Sequence, residues 1–483
     1  MCFSPKFLVL TGPAWYNTDA LPGLSGKTKR RDIAVDREQK YIRMTTEPVG
    51  RLICELAGPT IVSMLVTAAY NMVDTFFVGL LRSNSATGAV GVVFSLMAIL
   101  QAVGFFFGQG SGTYISRHLG AQQEDDAARM AVSAVVLSFA SGVVIAVLGL
   151  IFLEPLASFL GSTPTILPHA KAYLRIILLG APYMVASFTV NQQLRFQGSA
   201  SYAMYGILAG AVLNVALDPF FIFTCRMGVA GAALATILGQ LVSFVVLLLG
   251  TTRGGNLRLR WRNLHITGAL LHEIWRGGLP SLCRQGLMSL STICLNAAAR
   301  EFGDVAIAAM SVVSRCMMVA NSAVIGFGQG FQPVIGFNYG AGLTQRVKQG
   351  FWFCVRWGTV FLLIIGALGA LFAPQIVALF RNDPAVVAFG ARAMRLQCAT
   401  LFTFATVITA NMLTQCLGKT VRASLLAMAR QGLFLIPAVT ILPPILHELG
   451  LQLAQPISDI LGLLTTAIVM PSIWRDLSRP PQV

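Results

Sequence analysis

Along this chain, long apolar runs alternate with short polar breaks. Runs of roughly twenty or more apolar residues are long enough to cross a bilayer at 1.5 Å rise per residue. They predict twelve transmembrane helices, near 52–79, 89–115, 129–152, 171–193, 203–223, 229–251, 274–298, 303–335, 350–373, 390–416, 423–445 and 449–473. No run shows the sustained alternation of a barrel strand. The expected fold is an all-α polytopic membrane protein.

Charge orders these spans. Arg117, Arg129, Arg195, Arg253, Arg258, Arg260, Arg262, Arg276, Arg346, Lys348, Lys419, Arg422, Arg475 and Arg479 collect on one side, against a thinner set of Arg82, Lys171, Arg226, Arg300 and Arg381 on the other. With an even number of spans, this asymmetry predicts both termini in the cytoplasm and the inner (plasma) membrane as location. The longest basic connection divides the chain into a polar tail 1–48, a lobe 49–251, a linker 252–273, a lobe 274–475 and a tail 476–483. The N-terminal tail reads as disordered; translation beginning at Met44 is the alternative.

The two lobes repeat. Gly108-Gln109-Gly110 recurs as Gly328-Gln329-Gly330, 220 residues on, and the same offset pairs Gly120-Ala121 with Gly340-Ala341, Pro164 with Pro384, Arg175 with Arg395, Asn191 with Asn411 and Gly198 with Gly418. A constant register over that distance indicates internal duplication. Six spans per repeat give both the same orientation, so an axis along the membrane normal should relate them, with a substrate site between them.

What repeats is helix-packing chemistry: Gly for close approach, Pro for breaks, Asn and Gln for interhelical hydrogen bonds. Two acids do not. Asp74 falls opposite Cys294 and Asp218 opposite Ala438. A carboxylate at the centre of a membrane helix costs about 2.5–3.5 kcal/mol on insertion scales, so an unduplicated one points to a task. Asn71 and Asp74 share a helix face at i and i+3, as Asn214 and Asp218 do at i and i+4. Pro219 cannot donate to the Val215 carbonyl, which adds a freed acceptor near Asp218. Such an oxygen cluster suits a proton, a sodium ion or a cationic substrate group. A kinked helix whose Asp caps backbone donors is the structural alternative.

Composition narrows the class further. Only 11% of the 483 residues are charged and 55% are hydrophobic, against about 25% charged in ordinary soluble domains. Mean hydropathy is +0.71. The net charge of +16 lies in loops as positive-inside patterning, which argues against nucleic-acid binding. Nine cysteines are scattered singly without a CxxC pair, and the five histidines fall in or beside loops, so neither disulfides nor a metal site is expected. An intramembrane enzyme would need a nucleophile beside a base, and no predicted span holds a histidine.

Other polar residues are candidates of lower weight. Tyr70, Asn71, Asn191, Gln192, Asn411 and Gln415 could line a substrate cavity, or tie helices together. Glu55, before Gly58-Pro59, could reach the interface. Arg284 in the seventh span wants a partner, and Asp459 in the twelfth is a candidate. Gly58, Pro59 and Pro219 are candidate hinges.

At these residues the chain resembles the multidrug and toxic compound extrusion (MATE) transporters, in their DinF/MepA-like bacterial branch. The matching stretches are Tyr70-Asn71-Met72-Val73-Asp74-Thr75, Leu119-Gly120-Ala121, Asn214 to Asp218-Pro219, Gly278-Leu279-Pro280-Ser281, Arg284-Gln285-Gly286, Gly328-Gln329-Gly330-Phe331-Gln332-Pro333, Asn338-Tyr339-Gly340-Ala341 and Gln455-Pro456-Ile457-Ser458-Asp459. The resemblance implies two six-helix lobes in a V around a central cavity, and export by alternating access driven by H+ or Na+. It also implies coupling-ion binding by Asp74 and Asp218, with Asn214 beside the latter. Family members that use acids of the C-terminal lobe carry one in the seventh span; here that span has Arg284 and Gln285 instead. The expected function is therefore efflux of amphipathic, cationic organic compounds by a monomer, with H+ favoured over Na+ and no other cofactor. A lipid-linked precursor flippase of the same superfamily is the nearest rival.

Overall fold

The computed structural model describes residues 25–79, 84–381 and 383–478; the side chains of residues 25–34, 68, 70–76, 78, 79 and 84–87 lie outside what is described. Helices account for nearly all of it, and among the described residues there is no strand. Large apolar side chains point outward along the helices: Phe94, Ile151, Ile293 and Ile468 are all more than half exposed. That inversion of the soluble pattern is what a lipid-facing surface requires.

The N-terminal lobe contains α2 (Val49–Gly79), α3 (Asn84–Gly120), α4 (Glu124–Ile151), the short α5 (Leu153–Phe159), α6 (Leu167–Phe196), α7 (Ala200–Pro219) and α8 (Val229–Gly250). The C-terminal lobe contains α9 (Gly268–Arg300), α10 (Gly303–Gly340), α11 (Thr344–Leu371), the short α12 (Ala373–Phe380), α13 (Pro384–Thr400), α14 (Thr403–Cys416), α15 (Thr420–Met428), α16 (Leu435–Leu446) and α17 (Glu448–Leu477). In front of both lies α1 (Ser25–Thr46). Ten helical spans are long and apolar enough to cross a membrane, and α13 with α14, bent by 53° at their junction, makes an eleventh. The expected seventh span is α9. At 33 residues it is amply long, but Ser281, Arg284, Gln285, Ser289 and Ser291 leave it more polar than the others.

The duplication is visible in three dimensions. α5 and α12 occupy equivalent places, and left-handed glycines close the equivalent turns after α6 (Gly198, φ +74°) and α14 (Gly418, φ +70°). α4 and α8 flank α6 and α7 lies on α8 in the first lobe, while α11 and α14 lie together in the second. Between lobes, α2 packs on α10, and α3 on α9 and α10. The duplicated glycines make that seam. A Cβ on Gly120 would sit 2.1 Å from the Phe337 carbonyl oxygen, and one on its counterpart Gly340 would sit 1.9 Å from that of Arg117. Backbone thus meets backbone, and the lobes are closed at this end. One apolar cluster crosses the seam, joining Met44, Leu52, Ile53 and Phe196 to Phe331, Ile335 and Phe337.

Residues 25–46 are helical, which corrects the expectation of a disordered tail there. Apolar and charged side chains of α1 find partners on both lobes. Met44 is buried in the seam, the Lys40 ammonium donates to Ser199 Oγ (2.7 Å) and Asn256 Oδ1 (2.8 Å), and Arg37 pairs with Glu124 at 2.6 Å.

Candidate ion and substrate site

Asp218 and Asn214 sit one turn apart on α7, both buried, with Asp218 fully so. α7 faces α2 on one side and α8 on the other. Its approach to α8 is set by glycine: a Cβ on Gly210 would lie 2.8 Å from the Gly239 carbonyl oxygen, and Gly239 faces Asn214 Cβ. Both atoms of the Asn214 amide are buried without a hydrogen-bond partner among the described residues. A buried amide with no partner costs about 1–3 kcal/mol. A site that bears such a cost next to a buried carboxylate has the donor set for a cation or a shared proton.

Pro219 marks the change expected of it. The α-helix ends there and continues as a wider π-turn, Phe220–Thr224, because the missing N–H and the ring forbid regular bonding to the preceding turn. At the other candidate hinge, α2 runs through Pro59 without a break. It is pinned there to α10: Thr60 Oγ1 donates to the Gly326 carbonyl at 2.6 Å, and Gly330 abuts Ala57. Asp74, Tyr70 and Asn71 lie on α2, which packs against α7; their side chains fall outside the described ones.

The cavity candidates divide. Asn191 donates to the Ala203 carbonyl at 3.0 Å and its repeat Asn411 to the Ala423 carbonyl at 2.6 Å. Both are buried and tie neighbouring helices within a lobe through the amide nitrogen, while the Asn411 Oδ1 has no hydrogen-bond partner among the described residues. Gln192 and Gln415 lie instead at the seam. Gln109 donates to Gln192 Oε1 at 3.4 Å, and Gln332 donates to Gln109 Oε1 at 3.2 Å and to Gln415 Oε1 at 3.4 Å. Gln415 in turn donates to the Gly277 carbonyl and Ser281 Oγ, each at 2.9 Å. Arg195 reaches across the seam to Gln329 Oε1. This chain of amides, with a buried guanidinium beside it, runs from α6 through α3 and α10 to α14. The sequence places Gln109 and Gln329 in the scaffold, Arg195 among the loop charges and Gln332 in a family-like stretch with no role of its own. Arg195 is instead buried at the seam, and the duplicated Gly-Gln-Gly is the signal that marks the place.

The expected Arg284–Asp459 pair does not form. Asp459 accepts from Arg430 Nε (2.6 Å), Gln455 Nε2 (2.8 Å) and Thr400 Oγ1 (3.2 Å), and Arg430 stacks 4.4 Å over the Phe404 ring. Arg430 lies in the π-turn Ala429–Phe434, which turns it inward towards α17. In the N-terminal lobe the same crossing is Gly210 on Gly239, with neither charge. Each lobe therefore buries an acid, and in the C-terminal lobe a guanidinium neutralises it. Glu55 behaves as a surface residue, paired with Arg51 at 2.9 Å and with Arg43. Among the described residues no cluster of His, Cys, Asp or Glu has the make-up of a metal site.

Comparison with known proteins agrees with this architecture. The MatE family model matches residues 59–220 and again 280–440, one match per lobe. The multidrug export protein MepA of Staphylococcus haemolyticus is 26% identical over 84% of this chain and 90% of its own length. MepA of Staphylococcus aureus is 24% identical over 90% and 96% respectively. Among solved structures, an outward-facing multidrug resistance MATE transporter of the MOP superfamily superposes with a TM-score of 0.84 at 25% identity, covering 90% of this chain and 99% of that one. A MOP superfamily transporter from Pyrococcus furiosus, described as having a binding pocket of reversed polarity, gives 0.82 at 25% identity over 90% and 98%. With two lobes related by duplication and the family model matched in each, the chain belongs to the MatE family, as a MATE transporter of the DinF/MepA type rather than an enzyme.

Proposed function

We propose that this protein exports amphipathic, cationic organic compounds in exchange for inward H+, by alternating access of the two lobes about the seam. Asp218, Asn214 and Asp74 bind the coupling ion. The observation that carries this reading is a fully buried carboxylate, Asp218, one turn from the Asn214 amide, whose two polar atoms are buried without a partner among the described residues. A carboxylate is a group that can take up and give up a proton, which suits Asp218 to carry the coupling ion. A coupling ion drives the cycle only if it binds the two arrangements with different affinity. The staphylococcal relatives, multidrug export proteins by name, support export of drug-like compounds. The end carrying α1 and the basic loops is the cytoplasmic one, which makes the closure at Gly120 and Gly340 a cytoplasmic closure.

Dye transport in proteoliposomes, with pH and Na+ gradients imposed separately, tests the reading. Ethidium accumulation driven by the pH gradient alone is expected; a response to Na+ alone would replace H+ by Na+ as the coupling ion. The second reading is a lipid-linked precursor flippase. Arg195 favours it, as a buried guanidinium bonded to a neutral amide that could meet an anionic headgroup once the lobes part. Transport of a lipid pyrophosphate and none of dye would decide for it.

A further inference from the structure

We propose that the end of α1, residues 36–47, is a latch across the cytoplasmic closure: it binds both lobes when they meet and must let go of one before they part. The proposal rests on the alternating-access reading above. Its basis is a set of contacts that no transport step in that reading uses.

On the N-terminal lobe, Arg37 pairs with Glu124 at the start of α4 and donates to the Asn256 carbonyl at 3.3 Å. Lys40 donates to Ser199 and Asn256. Asn256 is itself fixed to that lobe, donating to the Gly250 carbonyl at 3.0 Å. The Asp36 backbone lies against Gly255, where a Cβ would sit 3.2 Å from the Asp36 carbonyl carbon. On the C-terminal lobe, Asn338 donates to the Met44 carbonyl at 3.0 Å. Arg346 donates to the carbonyls of Thr46 and Glu47, and its Nε to Asn338 Oδ1 at 2.6 Å. Between the two sets, the Met44 thioether covers the turn at Gly198 and joins the apolar cluster across the seam.

The geometry makes the two sets of contacts exclusive of an open cytoplasmic side. They lie together within residues 36–47 and flank Gly120 and Gly340, where the lobes touch backbone to backbone. If those backbones separate, a helix of fixed length cannot hold Ser199 and Asn338 at once.

Pulsed electron resonance between spin labels at exposed positions 125 and 345, in a background without reactive cysteines, measures the cytoplasmic separation of the lobes in the full-length transporter. Arg37→Ala with Lys40→Met is expected to raise the population of the longer separation about threefold, the size of effect that losing a few rim contacts gives. Ser199→Asp, which offers Lys40 a carboxylate, is expected to narrow the distribution towards the short distance and to slow dye efflux. This opposite-signed variant keeps the test open if the first folds poorly. Variants indistinguishable from the parent, in a parent that does reach the longer separation with dye or a pH gradient, overturn the latch and spare the transport reading. A parent that never reaches it under any gradient overturns both.

Discussion

At the residue scale, the two lobes solve one packing problem with opposite chemistry. Where α7 crosses α8, Gly210 and Gly239 bring backbones together; where the π-turn after α15 crosses α17, Arg430 and Asp459 fill the space with an ion pair. Removing one charge from a buried pair strands the other, at a cost of about 3–5 kcal/mol. Asp459→Ala is thus expected to lower the thermal midpoint sharply, and Arg430→Met with Asp459→Leu to restore most of it, as measured by differential scanning fluorimetry in detergent. Asp218→Asn keeps the shape of the side chain but cannot give up a proton, so the fold should be kept while ethidium efflux falls at least tenfold at matched expression. Full efflux in that variant would refute the ion site.

At the element scale, what distinguishes the helices is how they meet at the seam. Gly120 and Gly340 let α3 and α10 touch where any Cβ would collide with a carbonyl oxygen. Gly340→Val should therefore shift the lobes apart at that end, with a raised rate of maleimide labelling at the buried Cys416, which bonds to Gln332 in the seam. α1 carries a pH dependence of its own. Burial, and then the positive charges of Arg37 and Arg43, lower the Lys40 pKa to about 7; the facing acid, Glu124, is committed to Arg37. An undocked lysine titrates near 10.5, so docking releases a proton between those values. Docking should strengthen as pH rises above about 7 and be independent of pH below it. Hydrogen exchange of the 36–46 amides, corrected for intrinsic rates, should show more protection at pH 9 than at pH 6.5. Lys40→Met should abolish the difference.

At the scale of the whole molecule, the duplicated shell and the unduplicated acids have separate origins. The succession of apolar spans was legible because bilayer thickness sets a length that composition must obey. The repeat was legible because Gly, Pro and Asn recur at one offset. Which charges pair was not. Asp459 chose Arg430 over Arg284 because a π-turn rotates Arg430 inward, and a turn of that kind leaves no periodic mark in the sequence. The role of Asn191 and Asn411 was undecidable for the same reason: an amide ties helices or lines a cavity according to what stands opposite. α1 was misread because its sequence is polar on every side, and a helix whose own hydrophobicity cannot support it is stabilised only by the surface it meets.

The sequence by itself determined that this is an all-helical, duplicated membrane protein, since lipid solvation and gene duplication both act on composition and register. Tertiary structure alone decided that the lobes close at the Gly120–Gly340 end, that the C-terminal acid is neutralised, and that α1 bridges the closure. Those outcomes depend on contacts between residues far apart in the chain, and no local pattern encodes a partner that only the packing of helices brings within reach.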